Sequence, residues 1–271
     1  MRADHRDQAE RAVLHSHDGG EEPTPKRVAQ TDAIFDEVMR VNAEDDAVPN
    51  VLRVSMDANA TVKIGPFAWG GKGRVAVKAA NHDFRAEATV TPVGIFLPQT
   101  DELFIYHVTS TVASDCLVDR LEQWWDTVCG RFAHITTLVL NLDNGPESHS
   151  HRPQFMGRVV AFVQRTCLRV RLAYDPPYHS TYYPVERCWG ILEAPWNGAL
   201  RDSVDVARGF TSSMTWKGAH SVVELVTATY QTGVTLTRDA MAVVEAQLVR
   251  LFDLDKWFVD IPSIPEHIWD A

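Results

Sequence analysis

With 271 residues, 45% of them hydrophobic, the chain can bury a large core as one domain, with or without a small appendage, and needs no cross-links to be stable. Its four cysteines, Cys116, Cys129, Cys167 and Cys188, stand far apart with no Cys-x-x-Cys pair and no zinc-finger spacing, so they read as small buried apolar groups in a reducing compartment. The net charge of −10 argues superficially against a phosphate-rich partner, no stretch approaches the ~20 apolar residues of a membrane helix, and the N-terminus is too polar for a signal peptide; a cytoplasmic protein without membrane contact is the expectation.

Residues 1–30 combine charge, histidines, Gly19-Gly20 and two prolines with almost no apolar periodicity, the composition of a disordered acidic lead-in. From Thr31 to Arg40, Ile34, Phe35 and Val38 recur at helical spacing, which predicts a short helix within a linker over residues 31–50. The following segments read as strands. VLRVSMDAN (51–59) alternates Leu52, Val54 and Met56 with Arg53, Ser55 and Asp57; TVKIG, RVAVKA, ATVTPVGIFL and ELFIYHVTS follow, separated by turn-forming clusters. They predict a meander of adjacent antiparallel strands.

Helical periodicity then takes over in SDCLVDRLEQWWDTVCG, where Leu117, Leu121, Trp124, Trp125 and Val128 share one stripe between a Ser114 cap and Gly130. The strand HITTLVLNLD comes next, then an amphipathic helix over 153–168 and a short strand, RVRLAY, at 169–174. Beyond the loop DPPYHSTYY, Pro184 suits a first helical position, VERCWGILEAPW forms the helix and Pro195 cuts it short. SVVELVTATYQ and TRDAMAVVEAQLVRLFD read as two additional C-terminal helices before a tail at 261–271. A meander continued by β-α-β units makes an α/β domain over 51–260: a mixed five-stranded sheet flanked by helices, in the order of a ribonuclease-H-like fold.

Three acids occupy comparable places along that order. Asp57 stands near the end of the first strand, Asp143 ends the strand after the first long helix, and Glu186 lies in the first turn of a later helix. Should the two strands lie side by side, Asp57 and Asp143 come close while the helix carrying Glu186 crosses nearby. Unassisted, such carboxylates repel one another; a divalent cation removes that penalty, and hard oxygen donors suit Mg2+ or Mn2+, two of which about 4 Å apart can serve a phosphodiester. Each acid also has an ordinary reading: Asp143-Asn144-Gly145 is a good turn, Asp57 a surface strand end, and Glu186 a favourable charge at a helix N-terminus. Charge distribution qualifies the overall acidity, because Arg152, Arg158, Arg165, Arg169, Arg171 and Arg187 cluster between Ser150 and Gly190 against only Asp175 and Glu186.

DNGPESHSHRPQF (143–155), YHSTYYPVERCWGILEAPWNG (178–198) and VSMDANATVKIGPFAWGGKGR (54–74) resemble the DDE transposases of bacterial insertion sequences, in particular the ISAzo-thirteen-type family, over most of the chain. The resemblance implies a ribonuclease-H-like catalytic core with Asp57, Asp143 and Glu186 as catalytic, metal-binding triad. It also implies Mg2+ or Mn2+ as cofactor, in two sites, with transposon ends and target DNA as partners. A homo-oligomer acting on paired ends, in the bacterial cytoplasm and on the nucleoid when bound to DNA, completes that expectation. Tyr183 departs from the asparagine usual in such proteins, and only a short, largely acidic segment precedes Asp57 where relatives carry a helix-turn-helix end reader. A shortened copy is therefore the expectation, and a catalytically silent DNA-binding remnant or a ribonuclease-H-like nuclease are the alternatives.

Arg152 and Arg187 are candidates for phosphate contacts, as are Lys72 and Arg74 in the glycine-rich loop, which lacks the Ser/Thr and spacing of a nucleotide-binding loop. His149 and His179 flank two of the acids and are candidate proton carriers or extra ligands, with plain turn solvation as the alternative. Trp189, one turn beyond Glu186, is expected to pack its helix on the sheet, and Glu193 is the substitute acid on that helix. No serine or cysteine sits in a nucleophile elbow.

Overall fold

The computed structural model describes residues 31–65, 88–176, 184–196 and 203–263, with the side chains of the third stretch described as far as Ile191. The expected strand RVAVKA lies outside these residues. Helix α1 (Thr31–Asp46) outruns its predicted end at Arg40 and buries Ile34, Val38 and Val41. Of strands β1 (Val51–Ala58), β2 (Val62–Ile64), β3 (Ala88–Leu97) and β4 (Glu102–Val108), β1, β3 and β4 are consecutive antiparallel neighbours, whereas β2 pairs with β3 rather than with β1, so the expected meander holds only in part.

Helix α2 (Ser114–Val128) precedes β5 (Thr137–Asp143), and α3 (Pro153–Thr166) precedes β6 (Arg169–Asp175). Ser114 does not cap α2; it is the first helical residue, Ala113 stands at the cap position, and the Ser114 side chain is used elsewhere. Helix α4 (Glu186–Trp196) starts two residues beyond Pro184 and runs one residue past Pro195, which does not cut it short. Helix α5 (Val204–Ser212) follows, capped by the Ser203 hydroxyl, which accepts from the Val206 N–H.

The C-terminal part departs from expectation. SVVELVTATYQ contains not a helix but strand β9 (Val222–Val226), which follows the small ribbon of β7 (Thr215–Trp216) and β8 (Ala219–His220). TRDAMAVVEAQLVRLFD is helical only in α6 (Arg238–Glu245), then gives β10 (Val249–Arg250), and β11 (Phe258–Ile261) closes the described chain.

The strands join one nine-stranded sheet in the order β10-β11-β6-β5-β1-β3-β4-β9, with β2 beside β3. Its centre, β6-β5-β1-β3-β4, has β5 and β6 parallel to β1, β3 antiparallel to it, and β4 antiparallel to β3. This is the five-stranded ribonuclease-H-like sheet, extended by β9 on one edge and by β11 and β10 on the other. Helical connections supply the parallel strands because a parallel neighbour needs a crossover.

Alternation along the strands sorts the layers. Ser55 accepts from the Val185 N–H beside α4, and Asn141 donates to Asn42 of α1, so these two helices cover one face. Met56 and Leu142 point the other way, toward Leu117 of α2 and Phe155 of α3. Five of the six arginines in the basic stretch are engaged by carboxylates: Arg152 by Glu147, Arg158 by Asp115 and Asp119, Arg165 by Asp126, Arg169 by Asp260, and Arg171 by both Asp45 and Asp260. Cys116 and Cys188 are buried free thiols as expected, whereas Cys167 is exposed at a left-handed helix end, with φ 58°. No helix among the described residues is long and apolar enough to cross a membrane.

Candidate active site

The row of acids follows from strand register. β1 and β5 are parallel with Met56 opposite Leu142, so one residue further along each strand Asp57 stands level with Asp143. β5 and β6 are parallel with Asp143 opposite Asp175. On its other side Asp57 faces Gly94 of β3. Neighbouring strands run ~4.8 Å apart, so three aspartates stand side by side at the carboxyl ends of three parallel strands, a common place for a site in such sheets.

Asp143 is held by the turn that follows it. The Ser148 hydroxyl donates to Asp143 Oδ1 at 3.1 Å, and the Gly145 N–H donates to the Asp143 carbonyl oxygen at 2.7 Å. A Cβ at position 145 would lie 2.7 Å from Asp143 Oδ2, so glycine is required for the carboxylate to keep its orientation. Ser148 is itself buried, and its carbonyl oxygen accepts from the Tyr174 hydroxyl at 2.7 Å. The turn reading of Asp-Asn-Gly is thus realised, and the same turn orients the Asp143 carboxylate.

Glu147 closes the same loop onto the start of α2. Its Oε2 accepts from the Ser114 N–H at 3.2 Å and the Ser114 hydroxyl at 3.1 Å, while the Arg152 guanidinium approaches at 3.2 Å. A cavity of about 200 Å³ lies here, lined among others by Met56, Asp57, Leu142, Asp143, Glu147 and Phe155.

Helix α4 reaches the acids from the opposite face. Trp189 Nε1 donates to Asp57 Oδ2 at 2.9 Å. The indole packs α4 on the sheet as expected, and its N–H reaches the first aspartate as well. Burial pushes the Asp57 carboxyl up to about 7, the indole and the Ala58 N–H pull it down, and the carboxylates of Asp143 and Glu186 push it further up. Glu186, the first residue of α4, therefore lies close enough to act on Asp57 electrostatically, although it is not among the residues lining the cavity.

Among the described residues no group of three or more His, Cys, Asp or Glu side chains stands ready to hold a metal ion. The chemistry of the donor set nevertheless fits a hard divalent cation. A buried aspartate is pressed toward its neutral form partly by two other carboxylates, and a cation of the Mg2+ type would relieve that repulsion with oxygen donors alone.

The remaining candidates scatter. Arg187 is exposed beside Glu186, whereas Arg152 is partly buried against Glu147. His149 is held below its usual range by burial first and by Arg152 and His151 next, and its Nδ1 accepts from the His151 N–H. Lys72, Arg74, His179 and the Glu193 side chain lie outside the described residues. Three neighbours of the acids escaped the sequence reading: Gly94, Glu147 and Asp175. A signal existed for the last, since TLVLNLD and RVRLAYD both end an apolar strand on aspartate. Asp175 is buried, and burial pushes it up to about 7 against the opposing pull of Arg53.

Three-dimensional comparison finds Mos1 transposase structures. The paired-end complex with the left transposon end has a TM-score of 0.48 and 8% identity, covering 73% of this chain and 58% of that one. The Mos1 mariner paired-end complex with Mn has a TM-score of 0.49 and 9% identity, covering 72% and 57% respectively. The chain thus spans less than two thirds of the solved structures it matches. Among curated proteins nothing matches. The family described as "Rhodopirellula transposase DDE domain" matches residues 20–263, and the chain belongs to that family of transposase DDE domains.

Proposed function

We propose that this domain is the catalytic core of a transposase that cleaves a phosphodiester at the end of a mobile element and transfers the freed 3′-hydroxyl to target DNA. The observation that carries the reading is the level placement of Asp57 and Asp143 on adjacent parallel strands, with α4, which begins at Glu186, held to Asp57 by Trp189. These three would hold Mg2+ or Mn2+, which, in one or two sites, supplies Lewis-acid stabilisation of the attacking and departing oxygens.

The chain's own groups prepare that chemistry. Ser148 and Gly145 fix the orientation of Asp143, and Trp189 fixes Asp57. Arg187, exposed in the first turn of α4, can meet a phosphate of the bound strand, and that helix start is itself favourable to anions. Arg152 is tied to Glu147, so its part is to hold the loop carrying Asp143 rather than to grip DNA alone.

Purified protein incubated with a labelled element end and Mg2+ or Mn2+ tests the reading. Cleavage and joining are expected from the native chain and should vanish in Asp143→Asn, with the fold retained. Metal-dependent cleavage that survives in that variant removes the assignment.

One observation favours a second reading, a catalytically silent DNA-binding remnant: Glu186 lies outside the cavity lined by the two aspartates. In that case the native protein retains the labelled DNA but cuts it with neither metal.

A further inference from the structure

Gly94 and Trp189 form a lock. Gly94 sits opposite Asp57 in the β1–β3 ladder, on the strand that carries no acid of its own at this level. A Cβ there would lie 2.6 Å from Trp189 Cη2, 2.8 Å from Trp189 Cζ2 and 3.0 Å from Val185 Cγ2. Contacts that short are impossible without movement, and a buried indole, only 5% exposed, is a rigid plate with no flexible end to swing aside. The ring therefore occupies the space that the missing side chain leaves above the strand.

From that seat the indole N–H reaches Asp57 Oδ2 at 2.9 Å. A second tether, the Val185 N–H to Ser55 Oγ at 3.4 Å, joins the residue before α4 to the same strand two positions earlier. Val185, Cys188 and Trp189 are all buried, and they pack in one apolar cluster with Ile64, Val90, Phe96 and Ile105. Glu186 lies between these anchors, so its height above the sheet is set by how deeply the ring sinks onto Gly94.

We infer that Trp189 is a positioning residue of the acidic site: seated on Gly94, its N–H holds the rotamer of Asp57 while its ring sets the distance from which α4 presents Glu186. The inference rests on the proposed metal-dependent function of these acids and deepens it. A hydrogen-bonding partner behind a metal-binding carboxylate orients the donor oxygens, and losing such a partner weakens metal affinity or activity by roughly 10–100-fold.

Two variants each disturb one role of the ring. Trp189→Phe keeps an aromatic plate and removes the N–H; Gly94→Ala keeps the N–H and denies the seat. Mn2+ binding to the full chain without DNA is measured by calorimetry, beside thermal unfolding and the kcat and KM for a labelled element end. Trp189→Phe should bind Mn2+ more weakly by roughly 10–100-fold and lose kcat with KM for DNA unchanged. Gly94→Ala should show the same split, since it displaces both Asp57 and Glu186. In a 15N-labelled sample the indole resonance that disappears in Trp189→Phe should shift in Asp57→Asn.

Native-like Mn2+ affinity in folded Trp189→Phe overturns the inference. If that variant does not fold, a Trp189 indole resonance, assigned in the native chain by its through-bond connection to its own backbone and unmoved by Asp57→Asn, overturns it instead. A native chain that takes up no Mn2+ at all overturns the functional reading beneath, a result distinct from native binding with an unaltered variant.

Discussion

Ser114, the first residue of α2, gives both its backbone N–H and its hydroxyl to the side chain of Glu147, the acid of the loop that follows Asp143. The same hydroxyl also lies 2.8 Å from the Glu147 carbonyl oxygen. A helix N-terminus leaves N–H groups without internal partners and favours negative charge, so a carboxylate from a distant loop takes the place of an N-cap. The loop and the helix are thereby stapled beside the cavity.

Glu147→Ala leaves the Ser114 N–H and the Arg152 guanidinium without their side-chain acceptor, while the Ser114 hydroxyl keeps the carbonyl oxygen of residue 147. The expected cost is about 1–3 kcal/mol, or a fall in Tm of a few degrees for each of those kcal/mol. Glu147→Gln, which keeps an acceptor oxygen, should lose less. Calorimetric unfolding of the two variants checks the order; equal losses would show that the charge rather than the acceptor matters.

Gly145→Ala is a probe of Asp143 orientation. The added methyl would stand 2.7 Å from Oδ2, and the carboxylate is the part free to rotate away. Little stability should be lost while DNA cleavage falls strongly. A variant with native cleavage would show that the Asp143 rotamer seen here is not the working one.

The pH dependence of stability follows from Asp175. Its carboxyl is raised from the ordinary 3.8 to about 7 by burial, so the folded state binds the proton more tightly than the unfolded chain. The stabilising contribution of that proton is fully present below 3.8 and is lost as pH climbs through about 7. Asp175→Asn cannot ionise and escapes the loss. Relative to the native chain it should therefore gain stability progressively between those two pH values, as read by Tm in a pH series. A constant difference across that window would mean Asp175 titrates normally.

His107 works with the opposite sign. Burial first and Arg208 second hold it down at about 4, so its contribution grows with pH from there toward its ordinary value. The comparison of Asp175→Asn with the native chain cancels this background because both proteins share it.

Local patterning carried much of the architecture. Strict alternation in VLRVSMDAN and the apolar stripes of α2 and α3 are properties of contiguous residues, and they named strands and helices that the structure contains. Where burial is partial the same signals mislead. In VVELV, Val222, Leu225 and Val226 repeat at helical spacing, yet the segment is an edge strand on β4 with only Val226 buried, so no inward-outward alternation was imposed on it. Val249 and Arg250 likewise look like the continuation of a helix until β11 offers them backbone partners.

The amino-acid sequence by itself determined which acids end strands or begin a helix, because apolar runs and turn residues mark those ends locally. It left open which acids would share a neighbourhood. Register decided that: pairing β1 with β5 and β5 with β6 brings Asp57, Asp143 and Asp175 into one row, although the last had read only as a counter-charge among arginines. Likewise only packing between distant segments could turn Gly94 from a weak strand former into the seat of Trp189, since the space a missing side chain leaves has meaning only once another element fills it.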